Sequence, residues 1–449
     1  MHAASLSFML LTWLLVVMLP VRVSTGNTLY VDAHNPTPPV PYNNFTDWSR
    51  AATNIQDAVS TALAGDTILV RKGCYKAAAG FTNVIDLNKP LILRAVDGRD
   101  GTLIDGAGTN RGVHIAYTPP SSTFVLDGFT ISNCFADGGA GAYHYDATNR
   151  AHYLNCLFVD NVAGYGAGIS SSGAHGAVII VTNSVFLRNH SYDRYAAAIM
   201  QNSGWIEIYD SHFEDNVSND PAVGGTRGGA MWTTGGLVEN SKFINNSSTL
   251  HGNGAAGGGG IYIYNNSVTI RNCLMVGNTG YGSGALAAHA NSSISLTLEN
   301  CTIYSNYCNS GPNYQGGVRI GTITDARVHN SIIHGNLRLG FTDACNIMIS
   351  AATPLNFTHN CTQPPTVHPG GEAAFWAAHN LTNAPLFLDP GNGDFSLHRD
   401  SPLINRGTLR DWMSGAKNLN GRSRIDKFSG VVDIGCYEYL PCGIMYKVR

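Results

Sequence analysis

The sequence predicts an all-β solenoid of short stacked coils, because two brief phrases recur at a period of about one coil. The first reads Asn155-Cys-Leu-Phe-Val-Asp-Asn161, then Asn183-Ser-Val-Phe-Leu-Arg-Asn189, Asp210-Ser-His-Phe-Glu-Asp-Asn216 and Asn240-Ser-Lys-Phe-Ile-Asn-Asn246. It continues as Asn272-Cys-Leu-Met-Val-Gly-Asn278, Asn300-Cys-Thr-Ile-Tyr-Ser-Asn306 and Asn330-Ser-Ile-Ile-His-Gly-Asn336. Successive copies start 28, 27, 30, 32, 28 and 30 residues apart. The second phrase is small and glycine-rich: Gly166-Ala-Gly-Ile169, Gly228-Gly-Ala-Met231, Gly258-Gly-Gly-Ile261, Gly284-Ala-Leu286 and Gly316-Gly-Val318, with Ala196-Ala-Ala-Ile199 in the same slot. Segments such as Ser267-Val-Thr-Ile-Arg271 alternate with period two, as half-buried strands do. The apolar spacing of a helical repeat is missing.

The opening elements follow in order. Residues 1–26 read as a signal peptide: an apolar run from Phe8 to Leu19 too short to span a bilayer, broken by Pro20, then small residues. Its basic start is missing, and a signal anchor is the other reading. Residues 27–104 form an N-terminal cap and first strands. Within them Thr53 to Ala64 reads as a helix, with Ile55, Ala58, Val59, Ala62 and Leu63 on one face and Gly65 as its stop. A helix there would cover the open apolar end of the first coil, and a strand over Asp66 to Arg71 follows it.

Residues 105–340 are the parallel repeats. Phe158, Phe186, Phe213, Phe243, Met275, Ile303 and Ile333 share one slot and are expected to stack inward. Two residues earlier, Cys156, Ser184, Ser211, Ser241, Cys273, Cys301 and Ser331 occupy a slot for small side chains, so these cysteines read as buried packing thiols. The closing asparagines, Asn161 to Asn336, form a second ladder suited to turn backbone and to amide bonds between coils. Residues 341–449 lose the period and are expected to close the far end. Cys436 with Cys442, and Cys345 with Cys361, lie outside the ladder and are the better disulfide candidates.

The opening Ile55-Gln-Asp-Ala-Val59 and Ala64-Gly-Asp-Thr-Ile-Leu-Val-Arg-Lys-Gly-Cys-Tyr75, with Leu103-Ile-Asp-Gly106 and Leu126-Asp-Gly-Phe-Thr-Ile131, resembles right-handed parallel β-helix proteins of the pectate-lyase-like superfamily. The Phe-x-x-Asn and Gly-Gly-Ala phrases also resemble repeats of chlamydial polymorphic outer membrane proteins. The end, Ala384-Pro-Leu-Phe-Leu-Asp-Pro390 through Val432-Asp-Ile-Gly-Cys-Tyr-Glu-Tyr439, resembles bacterial choice-of-anchor secreted proteins, although only ten residues follow Tyr439 where an anchor would stand. These resemblances imply a right-handed parallel β-helix with an N-terminal capping helix. They imply little about activity, since the fold hosts unrelated functions.

With 449 residues, 13% charged, 51 Gly and a net charge of −3, the chain carries no basic patch for nucleic acid and no charged tail. No second stretch reaches transmembrane length, so the mature chain is expected to be secreted or held at the cell surface. Its expected partner is a polysaccharide or another surface component. The polygalacturonase phrases are absent: Ala174-His175-Gly176 lacks the first glycine of Gly-His-Gly, and no Asp-Asp pair occurs. A hydrolase needs two or three convergent carboxylates. A pectate lyase needs an acidic Ca²⁺ cluster and a basic proton acceptor, so Ca²⁺ belongs to that alternative only.

The richest polar neighbourhood is His190, Asp193 and Arg194, with Asp215 one coil later beside His212, Glu214 and Asp220. There His190 would be a base, Asp193 or Asp215 an acid, and Arg194 a partner for a sugar carboxylate. The other reading is a solvated turn. His144, His152 and His175 lack metal-ligand spacing, and no cofactor is expected. Tyr143, Tyr145, Tyr165, Tyr192, Tyr195, Trp205, Trp232, Tyr262, Tyr264, Tyr281 and Tyr314 lie near the glycine corners, where they serve as sugar platforms or as packing against turns. The sequence thus favours a binding protein over a polysaccharide lyase or glycoside hydrolase, with a structural or adhesin-like repeat as the third reading.

Overall fold

From Phe135 on, each full coil visits four sheets in turn, and its strands pair in parallel with their counterparts one coil away. One coil runs Val178–Thr182 (sheet I), Val185–Leu187 (sheet II), His190–Ser191 (sheet III) and Ile199–Gln201 (sheet IV), then re-enters sheet I at Trp205–Tyr209. The computed structural model describes residues 26–38, 44–116, 122–145, 149–172, 176–193, 195–220, 227–250, 257–289, 291–310, 315–341, 346–349, 355–363, 378–427 and 429–439. Among these, sheet I has 12 strands, from Thr28–Val31 to Leu355–Thr358. Sheets II and IV have 10 each, and sheet III has 8. Sheet III is absent from the coils before Phe135–Gly138, so those pass directly from sheet II to sheet IV. The signal segment expected over residues 1–26 lies outside the described residues up to residue 25. No described helix is long and apolar enough to cross a membrane.

The apolar slot stacks as expected. Phe158 pairs with Phe186, then Phe213, Phe243, Met275, Ile303 and Ile333 in unbroken register. All seven are fully buried. The four rings lie 4.8, 4.8 and 4.7 Å apart and within 4° of parallel. That spacing is the strand separation itself, so side-chain stacking and backbone pairing reinforce one another. Ile131, Ile104 and Tyr75 extend the column into the earlier coils.

The asparagine ladder runs beside it. Asn161 Nδ2 donates to Asn189 Oδ1 at 2.9 Å, Asn189 to Asn216 at 2.9 Å, and Asn216 to Asn246 at 2.8 Å. Asn246, Asn278 and Asn306 continue it to Asn336, each at 2.9 Å. These residues do not adopt the left-handed backbone that asparagine tolerates. That conformation falls on the residue before each of them, such as Asp160 (φ 54°) and Asp215 (φ 53°), and on the asparagine opening each phrase, such as Asn155 (φ 54°) and Asn183 (φ 48°). The opening asparagine is therefore selected for its backbone and the closing one for its amide.

The small-residue slot does more than save space. Ser184 Oγ accepts from the Cys156 amide at 3.0 Å, and Ser211 and Ser241 repeat the contact one coil on. Cys156, Cys273 and Cys301 are buried free thiols, and burial pushes the Cys156 thiol up to about 12. Cys361 and Cys436 are likewise buried and free. Their suggested partners, Cys345 and Cys442, lie outside the described residues.

Two expectations change at the ends. The helix spans Ile55–Thr61, shorter than Thr53 to Ala64, because Ala62 turns to φ −60°, ψ 150°. Asp66 then draws the chain off, accepting from the Leu63 and Asn27 amides at 2.8 and 2.7 Å. Asn54 caps the helix, Ile55, Ala58 and Val59 join the core, and Gln56 Oε1 accepts from the Asp86 amide at 2.7 Å on the first strand of sheet IV. At the other end the ladder passes from Asn336 to Asn346 at 3.1 Å, and a second asparagine ladder begins in the small-residue slot, where the Ser331 amide donates to Asn360 Oδ1 at 2.9 Å and Asn360 donates to Asn380 at 3.2 Å. Much of the chain after it, however, does not close the solenoid axially. It folds back as a strap along the corner between sheets I and II, over coils already formed. Asn272 donates to Lys417 O at 2.9 Å, and Asn330 donates to Thr408 O at 2.8 Å. Arg424, fully buried, reaches Asn272 Oδ1 at 3.1 Å, Gly435 O at 2.8 Å and Glu438 at 2.7 Å. Leu274, Phe395, Cys436 and Tyr437 pack together beneath it.

Replacing Phe213 with Ala should cost about 3–5 kcal/mol, as for other buried phenylalanines, read from the denaturant midpoint; melting like the parent would sink the stacked column. Acid sensitivity is the second expectation. His144 is fully buried, with Nε2 2.7 Å from the Tyr153 hydroxyl, and burial holds it down at about 4. As pH falls from about 6.5 toward 4, the unfolded chain gains a proton that the fold refuses, so stability is lost through that window. The share of His144 should be about 2–3 kcal/mol between neutral pH and about pH 4.5, and His144→Gln should remove that share while the loss through His329, also held down at about 4 by burial, persists.

Candidate functional site

Alternation along sheet IV sorts its residues cleanly. Ile169, Ile199, Met231, Ile261 and Leu286 point inward in one register, and Ser170, Met200, Trp232, Tyr262 and Ala287 form the next column, facing outward. Apolar side chains on that outer face form their own cluster, in which Met200, Trp232 and Tyr262 are the floor and half-buried Tyr165, Tyr195 and Tyr264 the rim. Trp232 lies 5.3 Å from Tyr195 and 5.5 Å from Tyr264, and Tyr264 lies 5.5 Å from His289. The Arg227 guanidinium sits 5.7 and 5.8 Å from the rings of Tyr262 and Tyr264. Trp232 is 2% exposed, and among the described residues its indole N–H has no hydrogen-bond partner. A buried donor left unpaired is costly, and a ligand oxygen would satisfy it.

The same face carries aromatic and cationic groups further up. Arg111 stacks 4.8 Å over Tyr143, whose hydroxyl is 2.5 Å from Ser172 Oγ, and His114 meets Asp86 at 2.9 Å. Tyr165 lies against the coil before it only because residue 138 is glycine: a Cβ there would stand 2.3 Å from the ring. Register from His114 through Tyr143, Ser170, Met200, Trp232 and Tyr262 to Ala287 makes the stripe about 29 Å long, at ~4.8 Å per coil.

Electrostatics give one group on this face a distinct state. His289 Nδ1 is 3.0 Å from the Tyr262 hydroxyl. Burial first, then the guanidinium charges of Arg227 and Arg319, hold the imidazole below its usual range. It is therefore neutral at pH 7 and able to accept a proton. Burial pushes the Tyr262 hydroxyl up to about 12.

The residues singled out in the sequence do not converge. His190 opens its sheet III strand between Val162 and Val217, and burial lowers its pKa. Asp193 is half-buried at the far end of that strand, its amide bonded to Gly164 O at 2.9 Å. Arg194 lies outside the described residues. Asp215 is exposed at the opposite corner, beside Arg188, which pairs with Asp160 at 2.8 Å. Asp215 stands at the corner before the next sheet III strand and Asp193 beyond the far end of His190–Ser191, so the two carboxylates lie on either side of sheet III. His212 pairs with Glu214 at 2.9 Å on sheet II. His144 is committed to the core, and His175 is not described. No three His, Cys, Asp or Glu side chains among the described residues group so as to hold a metal ion.

The aromatic residues fare differently. Tyr165, Tyr195, Trp232, Tyr262 and Tyr264 come together, with Tyr143 and Tyr145 upstream at 6.1 Å from each other. Tyr192 pairs instead with Phe135 on sheet III at 6.3 Å, Trp205 is 39% exposed on sheet I, and Tyr314 is not described. Sequence reasoning missed Arg227, His289 and Met200, which lie outside the phrases that repeat. The alternation Met231-Trp232-Thr233 was the available signal for an outward column. A cavity of about 930 Å³ opens elsewhere, between the strap and Lys242. It is lined by mixed charges, among them Asp394, His398, Arg399 and Arg422, together with Tyr437 and Tyr439.

No curated protein matches the chain. Among solved structures it is similar to the crystal structure of pectate lyase Pel9A, with 15% identity over 93% of this chain and 98% of that one, at a TM-score of 0.46. A rhamnogalacturonan lyase gives 12% identity, 76% and 90% coverage and a TM-score of 0.42. The C-terminal strap lies outside the family match. Residues 111–296, from sheet IV of the early coils into the later repeats, match the family model for a right handed beta helix region, the architecture seen in the stacked sheets.

Proposed function

We propose that this is an exported or cell-surface β-helix protein that binds polysaccharide along the outer face of sheet IV. The run Tyr195, Trp232, Tyr264 and His289 carries this reading, together with the unpaired indole N–H of Trp232. Aromatic faces suit the apolar faces of sugar rings, and a buried donor beside them suits a hydroxyl. A stripe about six coils long suits an extended polymer better than a monosaccharide.

Polysaccharide lyase or hydrolase is the second reading, and one observation favours it. The neutral His289 imidazole, the Tyr262 hydroxyl and two guanidinium groups share the face. That set could take a proton beside a sugar carboxylate and offset the charge that develops. His190, Asp193 and Asp215 remain a dispersed set under this reading, where Arg194 and Ca²⁺ would also belong. A structural or adhesin-like repeat requires neither set.

Affinity electrophoresis of the folded protein through gels holding different polysaccharides separates the three. Retardation by at least one polymer is expected. Tyr195→Ala and Tyr264→Ala should each weaken it roughly tenfold, the value of one aromatic contact, with melting unchanged. Unsaturated or reducing products lost in His289→Ala would favour the enzyme. Retardation by no polymer, or retardation indifferent to both tyrosines, would sink the binding reading.

A further inference from the structure

Eleven Asn-x-Ser/Thr sequons occur in the chain; burial separates eight of them into two groups, while Asn44 and Asn265 are half-buried. Asn189, Asn216, Asn246, Asn300, Asn360 and Asn380 are at most 3% exposed. In the ladder both Nδ2 hydrogens are already committed. Asn189 donates to Phe158 O at 3.0 Å and to Asn216 Oδ1 at 2.9 Å. Asn216 donates to Phe186 O at 2.9 Å and Asn246 Oδ1 at 2.8 Å. Asn246 donates to Phe213 O and Asn278 Oδ1, both at 2.9 Å, and Asn360 to Val328 O at 2.8 Å and Asn380 Oδ1 at 3.2 Å. By contrast Asn245 and Asn356 are exposed, one on the corner between sheets II and III and one on the outer face of sheet I.

We infer that Asn245 and Asn356 are glycan-acceptor positions compatible with the fold, that the six buried sequons are not, and that the chain folds where no asparagine-linked glycosyltransferase meets it unfolded. Transfer from a lipid-diphosphate donor forms a bond between the sugar anomeric carbon and Nδ2. The bond from that carbon to the diphosphate breaks, the diphosphate keeps its electron pair, and one Nδ2 proton is released. A ladder asparagine treated this way loses one of two used donors and must house a sugar where no solvent reaches. The oligosaccharide would also force adjacent coils away from their single strand spacing. Because such transferases act on the Asn-x-Ser/Thr sequence in an unfolded chain, six susceptible sites leave few chains with every one untouched. The inference concerns folding and not the sheet IV face, so it stands or falls separately from polysaccharide binding.

The full chain is produced in a eukaryotic secretory host, with and without an inhibitor of lipid-linked donor synthesis, and in a bacterial host as the folded reference. Occupied asparagines are mapped by glycan release in heavy-oxygen water, and folding is scored by protease resistance. Folded secreted molecules should carry glycans at Asn245 and Asn356 but at none of the six. Chains occupied at Asn189, Asn216 or Asn246 should stay in the cell, protease-sensitive, and the inhibitor should restore folded product. Asn245→Gln with Asn356→Gln should remove the glycans at those two positions without loss of protease resistance. A folded, secreted chain bearing a glycan at any of the six overturns the assignment. Equal folded yield with and without the inhibitor overturns the inference about where the chain folds.

Discussion

A single amide, repeated once per coil, holds the rest of this structure in place. Each ladder asparagine receives, on its Oδ1, both the backbone N–H and the side-chain N–H of the asparagine one coil before it: Asn189 N and Nδ2 meet Asn216 Oδ1 at 3.1 and 2.9 Å. Its other N–H reaches the carbonyl of a residue in the buried apolar column one coil back, as Asn216 does to Phe186 and Asn306 to Met275. One side chain therefore fixes the turn, the distance between coils and the position of the aromatic column. A slip of one residue in any coil would break three bonds and turn a phenylalanine outward. The Ser184 to Ser241 contacts apply the same rule at the neighbouring corner.

Sheet IV inherits its order from that constraint. Its strands are only about three residues long and would pair weakly alone. Registered by the ladder and by glycines that admit close approach, they present Met200, Trp232, Tyr262 and Ala287 in one file. The buried Trp232 and Tyr262 rings in that file, flanked by the tilted rings of Tyr195 and Tyr264, are a preorganised surface, and a polymer meeting it needs little rearrangement of the protein. The polar interior at the ends of these strands, His144 among it, gives up pH tolerance for a satisfied core.

Legibility in the sequence followed how local each cause was. The Phe column and both asparagine slots recur at a fixed offset, so position alone revealed them. Which asparagine took the left-handed backbone was not readable, since both slots hold the same residue type and only the turn geometry tells them apart. The helix ended early at Ala62 because Asp66, four residues on, captures the backbone there. The strap was invisible: its partners lie far away in sequence, as in the 152 residues between Arg424 and Asn272. The aromatic cluster was half legible. The tyrosines and Trp232 stood out by type, but Arg227 and His289 fall in stretches that differ from coil to coil, and only the fold brings them together. His190, Asp193 and Asp215 are close in sequence, yet Asp215 sits one coil on, at the corner before the next sheet III strand, and Asp193 lies beyond the far end of the strand that His190 opens.

That strap alters how the solenoid responds to force. Stacked coils ordinarily separate singly, each interface failing without much regard to the others. Here a single segment grips Asn272, Asn300 and Asn330, three successive coils, through Lys417, Asp433 and Thr408. A pull that opens any one of those junctions must first strip the segment from all three, with the buried Arg424 as its anchor. The strapped coils thus behave as one brittle block and the unstrapped ones as a ductile spring, so under load the molecule would yield first at the end away from the strap.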